Sequence, residues 1–103
     1  MTETEFIEAS DALMDAVEDA VAELDIDTER AGNVLTLETD DGEQIVINRH
    51  TPTQQMWLAS RRGGLHFSLE GERWVNTRGG EDFWGSLQAT LSALLEEDVR
   101  LHQ

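Results

Sequence analysis

Between Asp15 and Arg30 the chain sets seven carboxylates, Asp15, Glu18, Asp19, Glu23, Asp25, Asp27 and Glu29, against a single base, Arg30. On a helix, residues three and four apart are surface neighbours, so Asp11, Asp15, Glu18 and Asp19 would form overlapping pairs. Such a ridge of oxygens suits hard cations such as Ca²⁺, Mn²⁺, Fe²⁺ and Fe³⁺. Nothing in the local sequence encloses it, which implies weak, water-rich, multi-site and poorly selective binding. The same ridge can dock a patch of Arg and Lys on a partner, giving fast and salt-sensitive association. A plain solvated surface is the third reading, and these residues alone leave all three open.

More specific chemistries fail on their own terms. "DIDTERAGNVLT" opens like a calcium loop, with Asp25, Asp27 and Glu29 at alternate positions, but its sixth residue is Arg30 instead of Gly and its twelfth is Thr36 instead of Glu. His50, His66 and His102 are far apart, and none has a Glu three residues before it, as a di-iron bundle requires. Each reads as a surface or strand histidine. There is no Gly-x-Ser-x-Gly elbow and no phosphate-cradling loop, and the glycines of "RRGGLHF" fit a hairpin turn. The chain has no cysteine, which excludes a disulfide framework, a thiolate zinc site, a thiol nucleophile and an iron–sulfur cluster held by its own sulfur ligands. No catalytic centre is expected.

The charge is unevenly placed. Residues 1–43 hold fifteen acids and one Arg, whereas residues 44–103 hold seven acids and six Arg. An acidic half of this kind would repel nucleic-acid phosphates and anionic lipid, and it favours cations or a basic protein partner. Solubility or salt adaptation is the plainer account, and the complete lack of Lys fits it. No apolar run approaches the roughly 20 residues needed to span a bilayer. "MTETEF" is acidic where a leader would be basic, so a cytoplasmic location is expected.

Hydrophobic period assigns the elements that would carry these side chains. Thr2 and Glu5 have capping-box spacing, which predicts a helix from about residue 3. Phe6, Leu13, Val17, Ala20 and Leu24 fall on one face of it, with Ala9, Ser10 and Val21 beside them. Glu8, Asp11, Asp15, Glu18 and Asp19 fall on the other, and Asp25, Asp27 and Glu29 would prolong the acidic row past the helix end. From residue 33 the period becomes two: "NVLTLET", an Asp-Gly turn, "EQIVINR", then "QQMWLASR", "LHFSL" and "RWVN" read as successive strands. A second helix carries Phe83, Leu87, Leu91 and Leu94. One domain over residues 1–103 is expected: an α+β two-layer sandwich, with both helices on one face of an antiparallel sheet of five to six strands. Met56, Leu58, Leu65, Phe67 and Leu69 suit the covered face. Trp57 then points outward beside Asn48, either as a contact residue or half-covered by a long side chain across the strand.

From "VLTLET" to "GERW" the chain resembles the frataxin family, and most closely its bacterial members. The carrying residues are Ile47, Asn48 and Arg49, Pro52, Gln55, Trp57 to Ser60, Gly63 and Gly64, His66 and Phe67, Gly71 and Trp74. The flanks agree, with an acidic first helix opening on "EF" and a second opening at "EDFWGSL". His50 departs from the family, where Gln often follows the Asn-basic pair. The resemblance implies weak iron binding and a regulatory or adaptor role in iron–sulfur cluster assembly, through the cysteine desulfurase and its scaffold protein. Carried over by position, the metal candidates are Asp15, Glu18, Asp19, Glu23, Asp25, Asp27, Glu29 and Glu38. Glu18, Asp19, Glu23, Asn48 and Trp57 become the partner-binding candidates. A monomer is expected, with metal-driven association conceivable. The alternatives are iron oxidation and storage by an oligomer, and an acidic interaction domain with no metal role.

Overall fold

In the computed structural model, which describes residues 2–101, helix α1 spans Glu3–Val21. Its start is set by local hydrogen bonds: the Glu5 N–H donates to Thr2 Oγ1 at 3.1 Å, and the Thr2 N–H donates to Glu5 Oε1 at 2.8 Å. The backbone bond from Thr2, then that of its hydroxyl, holds the Glu5 carboxyl below the usual carboxylate range. Phe6, Ser10, Leu13, Met14, Val17 and Val21 are buried. This face is turned slightly from the periodic reading: Met14 and Val21 enter the core, whereas Ala20 and Leu24 are only half-buried. Leu24 lies beyond the last helical turn, so helical period no longer governs it.

Six strands follow: β1 Ile26–Ala31, β2 Val34–Thr39, β3 Gln44–His50, β4 Gln55–Ser60, β5 Gly63–Glu70 and β6 Arg73–Asn76. A short 3-10 turn at Thr51–Thr53 joins β3 to β4, and helix α2 spans Phe83–Leu95. Spatial order equals chain order, and every neighbouring pair is antiparallel. Strand β1 has no counterpart in the periodic reading. "IDTERA" buries no residue fully and pairs on one side only, so it lacks the apolar alternation that marks the others. The available signal was its turn, because Ala31 pairs with Val34 across the two residues Gly32 and Asn33. Gly32 takes φ of 59°, which suits glycine there.

Both helices cover the same sheet face. Leu35, Leu37, Ile45, Ile47, Met56, Leu58, Phe67 and Trp74 meet Phe83, Leu87, Leu91 and Leu94 of α2 and the buried stripe of α1 in one core. Phe6 meets Trp74 edge-on at 6.1 Å, and Phe67 meets Phe83 at 5.2 Å. Leu65 and Leu69, expected inside, are half-buried at its margin. Among the described residues no helix is long and apolar enough to cross a membrane.

Candidate metal and docking surface

The sheet register divides the acidic residues into groups with different surroundings. On β1, side chains alternate between the two faces. Arg30 pairs with Leu35, whose side chain is buried, so Arg30 lies on the helix side beside α1. Its Nη1 donates to Asp15 Oδ1 at 2.6 Å and its Nη2 to Asp11 Oδ1 at 3.3 Å, while Glu18 Oε2 stands 3.7 Å away. The hydrogen bond with Asp15 pushes the guanidinium above its ordinary pKa, so it stays charged throughout the accessible range. A second arginine arrives from β3. Arg49 Nη1 donates to the same Asp11 oxygen at 2.6 Å, to Ser10 Oγ at 3.1 Å and to the Ile7 carbonyl at 3.3 Å. Its Nε and Nη2 both reach Asn33 Oδ1, at 3.1 and 2.8 Å. The ridge is therefore not uniformly open. Asp11, Asp15 and Glu18 are engaged by arginines that local sequence could not place beside them.

Asp19, Glu23 and Asp25 follow in the chain and are exposed, with no ion pair or side-chain hydrogen bond among the described residues. Asp25 also lines a depression with Asp40, Asp41 and Glu97, three acids that the sequence reading did not single out. The turn after α1, the β2–β3 loop and the end of α2 bring them together.

Asp27 and Glu29 do not prolong the helix row. They alternate with Arg30 on β1 and so project to the open face of the sheet, where Asp27 stands directly opposite Glu38 and Glu29 opposite Thr36. With Gln44 they border a shallow depression of about 400 Å³. Like charges directly opposite on adjoining strands are destabilising. Glu38→Gln should therefore raise stability by about 0.2–1 kcal/mol, read as a higher denaturant midpoint at low salt. The gain should shrink at about 1 M salt, where the Debye length falls to ~3 Å. No group of three or more acidic or histidine side chains among the described residues converges as a metal cage.

Further along the open face, Trp57 stands opposite Asn48 on β3 and His66 on β5. It is half-buried because imidazoles cover both its faces: His50 stacks at 4.0 Å and His66 at 4.4 Å between ring centroids. Its Nε1 donates to Gln55 Oε1 at 2.9 Å, and His50 Nδ1 hydrogen-bonds Thr53 Oγ1 at 2.7 Å. The cross-strand cover expected as one option for Trp57 is thus present, and it is aromatic. Two histidines read separately in sequence meet on a single ring. His50 sits diagonally across from Trp57, a relation that requires the strand register and not merely the strand assignments.

Known proteins match this arrangement over the whole chain. A frataxin-like domain matches residues 1–97. The iron-sulfur cluster assembly protein CyaY of Neisseria meningitidis serogroup B is 48% identical over 103 residues, covering 98% of this chain and 96% of its own. The protein of the same name from Ralstonia nicotianae is 47% identical, covering 98% and 95%. Among solved structures, the frataxin of Psychromonas ingrahamii superposes with a TM-score of 0.92 at 31% identity, covering 100% of both chains. A trimeric frataxin from the yeast Saccharomyces cerevisiae, complexed with ferrous iron, gives a TM-score of 0.74 at 31% identity, covering 86% and 87%. With its helix-covered six-stranded sheet, acidic first helix and full-length match, the chain belongs to the frataxin family.

Proposed function

We propose that this protein is a non-catalytic adaptor of iron–sulfur cluster assembly in the cytoplasm, which takes up Fe²⁺ or Fe³⁺ weakly and docks on the cysteine desulfurase together with its scaffold protein. The observation that carries the reading is the state of Asp19, Glu23 and Asp25. They are exposed and self-repelling, and they have no internal partner among the described residues, in a chain whose relatives carry the name of cluster assembly proteins. Asp27, Glu29 and Glu38 add a second unneutralised group on the open face. Carboxylates that do not converge into a cage suit a labile, hydrated ion that must be released again. The missing cysteine suits a protein that modulates cluster formation and leaves cluster and persulfide to its partners. Trp57 with Asn48 offers a second contact region, since a stacked aromatic loses little freedom when a partner covers it.

The test pairs two titrations on the wild type and on the double variant Asp19→Lys/Glu23→Lys. Purified desulfurase should bind the wild type, and raising salt or introducing the variant should weaken binding at least tenfold. Anaerobic Fe²⁺ titration should show several weak equivalents in the wild type and fewer in the variant. Unchanged desulfurase binding would move the docking face elsewhere, with Trp57→Ala the next variant to measure. Unchanged iron uptake would remove metal from the ridge. A second reading, iron oxidation and storage by an oligomer, draws on the trimeric yeast relative. It requires Fe²⁺-dependent oxygen consumption well beyond one turnover per site, together with a rise in mass.

A further inference from the structure

The proposal above gives no role to Arg30, the basic side chain of β1. Arg30 sits inside the surface that is meant to receive cations. Its guanidinium has three carboxylates within 3.7 Å, Asp15 at 2.6 Å, Asp11 at 3.3 Å and Glu18 at the limit, and its side chain is 25% exposed. Arg49, only 10% exposed, holds Asp11 from the other side and ties down Asn33 in the turn that immediately follows β1. The position of Arg30 is therefore set by backbone pairing of β1 with β2 and by a second arginine, not by a wandering surface side chain. A guanidinium cannot lose its proton under ordinary conditions. Groups joined by a short tether meet at an effective concentration of millimolar or more. A weakly held external ion would have to displace this internal one before it could use those oxygens.

We propose that Arg30 is a tethered counter-ion that withholds Asp11, Asp15 and Glu18 from external cations and so determines which part of the acidic surface accepts metal. The proposal rests on the reading that this surface takes up iron. It divides the ridge into a self-neutralised stretch, Asp11 to Glu18, and a receptive stretch, Asp19 to Asp25. It also accounts for a helix that tolerates so many acids: part of the repulsion is cancelled within the fold, and only the remainder is available to a ligand. Glu18 changes role accordingly. Its carboxylate lies on the neutralised side of the boundary and is a poor metal candidate, although it follows the same helical spacing as Asp19.

Ca²⁺ is a suitable probe because it takes oxygen ligands and, being diamagnetic, does not broaden neighbouring residues. In the wild-type protein Ca²⁺ should shift the side-chain carboxyl ¹³C resonances of Asp19, Glu23 and Asp25 and spare those of Asp11 and Asp15. In Arg30→Gln the shifts should extend to Asp11, Asp15 and Glu18, with about one further Ca²⁺ bound by calorimetry. Arg30→Lys, which keeps a tethered charge, should retain the wild-type map. Equal shifts at Asp15 and Asp19 in the wild type would overturn the proposal, and that result needs no variant to fold. Identical maps for wild type and Arg30→Gln would overturn it as well, as would an Arg30→Lys map that matches Arg30→Gln. If Ca²⁺ binds only the glutamine variant, the role of Arg30 stands and the iron reading of the native ridge fails. If it binds neither, both fail.

Discussion

Aspartate in place of Val17 should abolish the cooperative thermal transition, whereas lysine in place of Asp19, two residues further along the same helix, should leave the melting temperature unchanged or raised. Val17 is fully buried against the sheet within the shared core. A carboxylate there finds no partner among Leu13, Met14, Val21 and their apolar neighbours. Burying an uncompensated charge costs several kcal/mol, often more than about 4, out of the roughly 5–15 kcal/mol that holds a domain of this size. Asp19 is exposed and has no ion pair among the described residues, so its reversal only lowers the repulsion of a strongly acidic face. The same reasoning separates Glu18 from Asp19. Lysine at position 18 would stand beside Arg30, and its relief of ridge repulsion should be smaller or reversed. Thermal melts monitored by circular dichroism decide the matter. A large loss in the Asp19 variant would mean that the helix phase is wrong.

Arg49→Ala should cost about 2–4 kcal/mol, on the scale measured for hydrogen bonds to charged groups and for broken, mostly buried ion pairs. The guanidinium is the link between three elements: it donates to Asp11 and Ser10 of α1 and to Asn33 beyond β1, from its own position on β3. Asp11 remains about half exposed, so water would recover part of the loss, which keeps the figure below that of a fully buried pair. At about 4–8 °C per kcal/mol for a domain of this size, the melting temperature should fall by at least ~8 °C. Arg49→Lys should restore less than half, because a single ammonium cannot reach Asp11 and Asn33 with the geometry of the fork. Denaturant unfolding of the three proteins checks both statements. A loss under about 1 kcal/mol for the alanine variant would show that the contacts to Asn33 and Asp11 are replaceable by solvent.

The parts of this molecule that could be read in its sequence are those where a single element's period records which face is buried. Phe6, Leu13 and Val17 announce α1, and the alternation of Leu35 with Leu37 and of Ile45 with Ile47 announces β2 and β3. Met56 and Leu58 likewise fix the covered face of β4 and turn Trp57 outward. Strand β1 escaped because an edge strand that buries almost nothing leaves no such record. A loop would let Asp27 and Glu29 continue the helix ridge, whereas in a strand they alternate with Arg30 and turn to the other face. The arginine clasp and the His50–Trp57–His66 stack were equally hidden, since each depends on the register between strands. Composition disclosed the acidic half of the chain, and only the three-dimensional pairing showed how much of it is already neutralised.

The strands succeed one another in space as they do along the chain, so each pairing closes across a short connection and the sheet can zip in order. The helices are the exception, because α1 precedes the sheet and α2 follows it, yet both seal the same core. Helix α1 therefore emerges from the ribosome with its apolar stripe uncovered, and must wait for most of the remaining chain before that stripe can be buried. Exposed apolar surface of this kind promotes aggregation during synthesis. The carboxylates along its opposite side give the nascent segment a strong negative charge, and mutual repulsion between such segments opposes that association.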